Sequence, residues 1–212
     1  MPASRTPPAW GVVVPVKVLA EAKSRLAAYG DQARRQLALA FASDVVLACL
    51  ACPGAARVLV VTDDADACDA LAALGAMVTR DAPGAGLNAA LVHGAGLLRA
   101  ELGGCSVATV SSDLPCLRPQ DLAAALAQVP ADGRAFVADA SARGTTVLAA
   151  AGRAALLPAY GTGSYARHLA SGAVELTAPS GLRQDVDTPQ DLQAALQIGV
   201  GAHTRAVLEL LL

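Results

Sequence analysis

The chain has 212 residues, 54% of them hydrophobic, and a formal net charge of −2. That length suits one sizeable domain, residues 1–212, and such a charge gives no general pull on nucleic acid. No run of about eighteen purely apolar residues offers a membrane span, and the opening residues 1–8 lack the apolar middle of a signal peptide, so a cytoplasmic protein without membrane or nucleic-acid partners is expected.

Gly11-Val12-Val13-Val14-Pro15-Val16 predicts a first strand, apolar on both faces as a central parallel strand is. A polar loop carrying Lys17, Lys23 and Arg25 follows. Asp31 can cap a long helix over about 31–52, with Leu37, Phe41, Val45 and Ala48 at helical spacing, and Pro53-Gly54 ends it. A second strand is predicted over 57–62, with Asp63 and Asp64 at its exit. A short helix over 65–74 and a third strand over 76–79 come next. Pro83-Gly84-Ala85-Gly86 reads as a loop that opens another helix at Leu87-Asn88.

Ser106–Val110 reads as a buried strand, followed by a helix over about 119–128 and a strand over 135–138. Thr145–Ala149 continues as strand or hairpin. A helix starts near Ser164, a short strand covers 174–177, and Pro189 opens a late helix in the first turn, where proline is tolerated. Residues 203–212 form a last helix.

Strands alternating with helices over the first 130 residues or so predict a parallel sheet of right-handed βαβ units. In such sheets the ligand sits beyond the carboxyl ends of the strands. That gathers the Lys17–Arg25 loop, Asp113 and the Gly84–Asn88 loop around one crevice. The five cysteines are irregularly spaced. Cys49 and Cys52 form a CxxC within a helical pattern, with no second pair and with His93, His168 and His203 scattered. Buried thiols in a reducing compartment are expected rather than a zinc site.

Three features bear on chemistry. The cations of the first loop sit where phosphates bind in α/β folds, and lysine and arginine meet phosphate through charge-assisted hydrogen bonds; they could equally be a solvated loop. Asp113, in Ser112-Asp113-Leu114-Pro115, stands at a strand exit, where a carboxylate can hold Mg²⁺ or simply cap a turn. Asp185 and Asp187 alternate, so an extended segment presents them on one face. Thr188 before Pro189 is a plausible helix cap, which one of these aspartates could merely support.

Taken together these stretches resemble the GT-A-like nucleotidyltransferases, and within them the guanylyltransferase family of deazaflavin coenzyme F-420 biosynthesis. The carriers are Pro15-Val16-Lys17 with Ala22-Lys23-Ser24-Arg25-Leu26, then Gly86-Leu87-Asn88 and Ser112-Asp113-Leu114-Pro115. Later come Gly144-Thr145-Thr146, Tyr160-Gly161-Thr162-Gly163-Ser164 with Arg167-His168, and Asp185-Val186-Asp187-Thr188-Pro189. The resemblance covers nearly the whole chain. It implies a three-layer Rossmann-like GT-A fold, a mostly parallel sheet flanked by helices.

The resemblance also implies a reaction. The phosphate of a small phosphorylated acid attacks the α-phosphorus of GTP and pyrophosphate leaves. The acid is phosphoenolpyruvate or 2-phospho-L-lactate, and an alanine-, glycine- and arginine-rich composition leans to phosphoenolpyruvate. Asp113 and Asp187 would hold Mg²⁺, with Asp185 as a second carboxylate beside Asp187. Lys17, Lys23 and Arg25 would cradle the triphosphate, and Pro15, Gly86, Asn88 and Ser112 would meet the nucleotide. Thr146, Gly161 and Ser164 would bind the acid, with charge from Arg167 and His168, although His168 is as readily a packed helix histidine.

Two departures from the wider pattern stand out. The first loop lacks a glycine-rich run, so its lysines must carry more of the phosphate binding, and Ala140-Ser141-Ala142-Arg143 lacks an expected acidic residue. A molybdopterin- or isoprenoid-type nucleotidyltransferase and a non-catalytic GTP-binding domain are the alternatives. A downstream transferase of the deazaflavin pathway is a potential partner, and the alanine-rich helices leave a homodimer open.

Overall fold

A computed structural model of the chain describes residues 9–82 and 84–211. The segment read above as lacking a signal-peptide core, Pro83 of the loop before Leu87, and Leu212 of the last helix lie outside the described residues.

The order of elements follows the sequence pattern closely. Strand β1 is Trp10–Pro15, and a short 3-10 helix spans Ser24–Tyr29 before α1, Asp31–Leu50. Strand β2 (Ala55–Val61), α2 (Ala65–Ala73), β3 (Met77–Thr79), α3 (Leu87–Glu101), β4 (Ser106–Val110) and α4 (Pro119–Leu126) complete the alternating half. Then come β5 (Arg134–Ala138), β6 (Thr145–Ala150), α5 (Ser164–Ala170), β7 (Val174–Glu175), α6 (Ser180–Arg183), α7 (Pro189–Ile198) and α8 (Ala202–Leu211).

Among the described residues seven strands form one sheet in the order β3-β2-β1-β4-β6-β5-β7. β1 pairs in parallel with β2 and β4, and β2 with β3. β6 alone runs against its neighbours, antiparallel to both β4 and β5, while β7 is parallel to β5. A mixed sheet of this kind is common in large α/β folds.

The alternation along β1 sorts the core into two layers. Val12 and Val14 face one side, packing with Val45 and Val46 of α1, Leu71 of α2 and Leu122 of α4. Val13 faces the other side with Leu59, Leu91 and Leu98. Helix α3 comes down onto that face at Gly94, where an added Cβ would meet Val13 Cγ1 at 3.0 Å and Val61 Cγ2 at 3.1 Å. A third cluster joins Leu26, Leu37 and Phe41 to Val186, Leu192 and Val200, tying the tail of the chain to its beginning.

Some local expectations change. Asp31 is not the cap of α1: Gly30 occupies that position with φ 87°, and Asp31 is the first helical residue, paired with Arg34 at 3.3 Å. A residue with positive φ is needed there, which glycine supplies at no steric cost. α1 ends at Leu50, and the predicted strand at 174–177 shrinks to two residues. α6 was not foreseen, because four residues carry too little periodicity to read. Thr188 does cap α7, in a capping box with Asp191.

Candidate active site

β1 and β4 lie side by side and parallel, so their carboxyl ends deliver Pro15, Val16 and Lys17 next to Ser111, Ser112 and Asp113. The tail arrives beside them through the backbone: the Val186 N–H donates to the Asp113 carbonyl at 3.0 Å, and Val186 is fully buried. Thr188 then turns the chain into α7. This leaves Asp187 at the mouth of the crevice, opposite Asp113.

Between the two carboxylates sits an ammonium. Lys23 Nζ donates to Asp113 Oδ2 at 2.6 Å and to Asp187 Oδ1 at 2.7 Å. Burial alone would lower the Lys23 pKa, but the two carboxylates outweigh it and the net shift is upward, so the side chain stays charged. Lys23 itself has φ 54° and ψ 42°, a left-handed conformation that costs a side-chain-bearing residue free energy. Arg25 reaches Asp187 only at 3.9 Å from an exposed position, and Lys17 pairs with Glu21 at 3.3 Å, also exposed. Both are surface pairs of small energetic worth, free to exchange partners with a ligand.

The third predicted carboxylate, Asp185, lies within electrostatic reach of this pair. Among the described residues no three His, Cys, Asp or Glu side chains gather closely enough to hold a metal ion. Asp185 was expected as a second carboxylate beside Asp187, and its carboxyl lies near enough to Asp113 and Asp187 to feel both charges. Asp185 is half-buried, and burial, then the charges of Asp113, Asp187 and Asp139, push its carboxyl up to about 7. Asp113 Oδ1 is buried with no hydrogen-bond partner among the described residues.

Two cavities meet here. One, of about 390 Å³, is lined by Lys17, Lys23, Ser24, Arg25, Asp113 and Asp187 among others. The other, of about 480 Å³, has apolar walls from Val61, Leu87 and Ala90, with Pro15 and Gly86, and is rimmed by Asp63 and Asp81. Val16, Lys17, Ser112 and Asp113 line both. The pair forms a charged chamber opening into an apolar slot.

The remaining predicted site residues are placed differently. The Asn88 amide is spent on the backbone of Tyr160, donating to its carbonyl at 3.2 Å and accepting from its N–H at 2.8 Å. Asn88 thus ties α3 to the 157–163 loop, and it lines neither cavity. Thr146 is buried, and its hydroxyl donates to the Leu182 carbonyl at 2.7 Å. Ser164 is buried at the start of α5, while Gly161 is exposed with φ 114°. These three also line neither cavity. The Arg167 guanidinium folds back onto the carbonyls of Ala159 and Thr162. His168 is fully buried, joined to the Thr145 hydroxyl at 2.8 Å and accepting from the Ala159 N–H at 2.9 Å. Burial, then Arg167 and Arg134, hold its pKa down to about 4, so it is a neutral packing residue. The Cys49 and Cys52 thiols are buried, and burial raises both pKa values, Cys52 to about 11.

The family model described as "Guanylyl transferase CofC like" matches residues 10–211. The chain belongs to this family. It is 56% identical over 201 residues to the phosphoenolpyruvate guanylyltransferase of Streptomyces coelicolor, covering 93% of this chain and 95% of that one. It is 53% identical over 207 residues to the phosphoenolpyruvate guanylyltransferase of Geodermatophilus obscurus, covering 94% of each. Among solved structures, 4-diphosphocytidyl-2C-methyl-D-erythritol synthase superposes with a TM-score of 0.59 at 13% identity, over 91% of this chain and 99% of that one. CMP:2-keto-3-deoxy-manno-octonic acid synthetase complexed with CTP gives 0.56 at 16%, over 90% and 98%. At such identities these two establish the fold alone, the GT-A-like nucleotidyltransferase fold that the motifs implied. As a guanylyl transferase family member the chain is a nucleotidyltransferase, and its sequence signals were densest on the loops that build the charged chamber.

Sequence reasoning gave no role to Arg34, Asp64 or Tyr160. Arg34 looks like any helix-surface cation in the sequence, yet it is buried beneath the basic loop. Asp64 caps α2 through the Ala67 N–H and also accepts from the Leu19 N–H at 2.8 Å. The Tyr160 hydroxyl meets Thr109 at 2.7 Å. Only the Asp64 cap had a legible signal, an aspartate immediately before a helical run.

Proposed function

We propose that this guanylyl transferase family member moves the GMP moiety of GTP onto phosphoenolpyruvate, releasing pyrophosphate, as a step in building coenzyme F-420. The observation that carries this reading is the junction of the two cavities at Asp113. An apolar slot there opens directly onto a chamber lined by Lys17, Lys23 and Arg25. A nucleoside triphosphate has the same division, a flat base at one end and dense negative charge at the other. The relatives' phosphoenolpyruvate guanylyltransferase activity supports phosphoenolpyruvate over 2-phospho-L-lactate as acceptor and guanine as base. Asp63 and Asp81 at the rim of the slot suit guanine as well, since a carboxylate accepts from its two adjacent N–H donors.

The residues fit a divalent cation. A hard cation takes carboxylate oxygens, and Asp113 keeps one buried oxygen without a donor. Asp113 and Asp187 would hold Mg²⁺, which when bound would supply positive charge to the α-phosphate. The chain's own part is alignment and electrostatics. The attacking phosphate oxygen is already anionic at neutral pH, so no strong base is required. One bond forms from that oxygen to the α-phosphorus, and the bond to the pyrophosphate oxygen breaks. Lys17 and Arg25 can turn from their surface partners to the phosphates. Lys23, held between the two carboxylates, would turn to phosphate oxygens when the nucleotide binds. The acid would approach from the exposed turn at Gly161, whose loop Asn88 ties to α3.

The test incubates the protein with Mg²⁺, each nucleoside triphosphate in turn, and phosphoenolpyruvate, 2-phospho-L-lactate or 3-phosphoglycerate, and measures pyrophosphate. Release with GTP and phosphoenolpyruvate, abolished by EDTA and reduced by orders of magnitude in Asp113→Asn, is the expected result. Equal release with all four nucleotides, or none with any acid, would overturn the reading. Because the product is a diphosphate diester that the next transferase would consume, that transferase and its deazaflavin acceptor are included as a trap.

A further inference from the structure

The loop between β1 and the 3-10 helix carries the cations of the charged chamber, and the shape of that loop is set from below by one side chain. Arg34, in the first turns of α1, is 5% exposed. Its Nη1 donates to the carbonyl of Leu19 at 3.1 Å and to that of Ala22, and its Nη2 donates to the carbonyl of Ala20 at 2.8 Å. One guanidinium therefore gathers three carbonyls of a four-residue stretch, and Asp31 Oδ1 accepts from Nη2 at 3.3 Å. On the far side of the loop Asp64 Oδ2 accepts the Leu19 N–H at 2.8 Å. The loop closes on itself as well, with the Glu21 and Ala22 N–H groups both donating to the Val18 carbonyl.

The next residue is Lys23, in the left-handed conformation described above. A conformation of that kind persists only where its surroundings over-determine it. The same loop supplies Lys17, Glu21, Ala22 and Lys23 to the lining of the chamber. A planar fork spreads its donors over two terminal nitrogens and so reaches carbonyls that are apart; an ammonium has three donors, but all radiate from one atom.

We propose that Arg34 is a positioning residue for the reaction: it preorganises the basic loop and so fixes where Lys23 and Lys17 meet the triphosphate. This rests on the reading of the charged chamber as the triphosphate site. The effect of losing it should fall on the nucleotide. A misplacement of about 1 Å at a reacting centre costs on the order of a hundredfold in rate.

The experiment compares Arg34→Lys and Arg34→Ala with the unaltered protein, using full steady-state kinetics in both substrates at a temperature where circular dichroism shows each variant folded. The expected result is a loss of about a hundredfold in kcat/KM for GTP, with KM for phosphoenolpyruvate little changed. Added guanidinium should recover part of the GTP turnover of Arg34→Ala and do nothing for the unaltered protein. A merely structural role would lower the thermal midpoint and affect both substrates alike, and that outcome, or a wild-type kcat/KM for GTP in Arg34→Lys, overturns the proposal. Amide hydrogen exchange on the unaltered protein needs no variant. The Leu19, Glu21 and Ala22 amides should be protected before any nucleotide is added, and free exchange that slows only with GTP would equally overturn it. If the unaltered protein turns over no GTP, the functional reading fails instead, and the exchange result still reports on the loop.

Discussion

The Lys23 ammonium and the Asp113 carboxylate meet at 2.6 Å although 90 residues separate them in sequence. With Asp187 at 2.7 Å on the other side, the lysine supplies the positive charge that lets two carboxylates share one small space. Replacing it should therefore do two things. Lys23→Met should lower turnover by roughly a hundredfold or more, the usual scale for removing one preorganised charge at a reacting centre. It should also make the nucleotide-free protein responsive to Mg²⁺, seen as a rise in thermal midpoint at millimolar metal that the unaltered protein does not show. A variant with normal turnover would remove Lys23 from the site.

The rim of the apolar slot should decide the base. Asp63 and Asp81 both line it, and the Asp81 N–H donates to Asp63 Oδ1 at 3.2 Å. Xanthine replaces one of guanine's donors by an acceptor, so an amide in place of the reading carboxylate should suit it better. Asp63→Asn or Asp81→Asn should then shift preference from GTP toward XTP, measured as the ratio of kcat/KM values. If both variants keep the original ratio, neither carboxylate reads the base.

Asp185 should make the fold sensitive to pH near neutrality. Its folded-state pKa is raised, to about 7 from 3.8, by burial and then by Asp113, Asp187 and Asp139. An acid held protonated by the fold contributes stability that is complete below its unfolded value and is lost as pH rises through the folded one. Asp185→Asn removes the ionisation. The difference in thermal midpoint, variant minus parent, should grow between pH 4 and pH 8. A difference that stays flat with pH would show that the carboxyl ionises freely.

His168 should act in the opposite window. Burial lowers its pKa from 6.5 to about 4, so its contribution to stability is complete above the unfolded value and falls away as pH drops from there toward 4. The neutral ring donates from Nδ1 to Thr145 and accepts at Nε2 from the Ala159 N–H. His168→Gln should be less stable than the parent at pH 7.5, having lost that geometry, yet its midpoint should fall less steeply on acidification. Turnover at neutral pH should change little if the histidine only supports the 157–163 loop. A large loss of kcat in a folded variant would return it to the chemistry.

Much of this molecule was legible before any coordinates. The runs at 12–14, 58–61 and 107–110, apolar but for Thr109, are buried on both faces because their strands are covered on both sides, and pattern alone revealed them. Thr188-Pro189 announced a helix start because capping chemistry is local. The loop motifs around Lys17–Arg25, Asp113 and Asp187 were legible for the same reason: each is a few consecutive residues whose types suit phosphate or metal.

The tertiary structure alone decided how those pieces meet. Only when β1 and β4 lie in parallel, with the Val186 amide on the Asp113 carbonyl, do residues 23, 113 and 187 converge, and no local pattern encodes that pairing. It also showed the partners of Asn88 and Thr146 in the nucleotide-free protein, backbone groups of Tyr160 and Leu182 that no local pattern announces. Arg34 was hidden because burial is a property of what packs over a residue, not of the residue. The sequence by itself determined which elements form and which chemistry the loops can carry, since both depend on neighbours a few residues away. The partner of each charged group, and hence the site, depended on contacts between residues far apart in the chain.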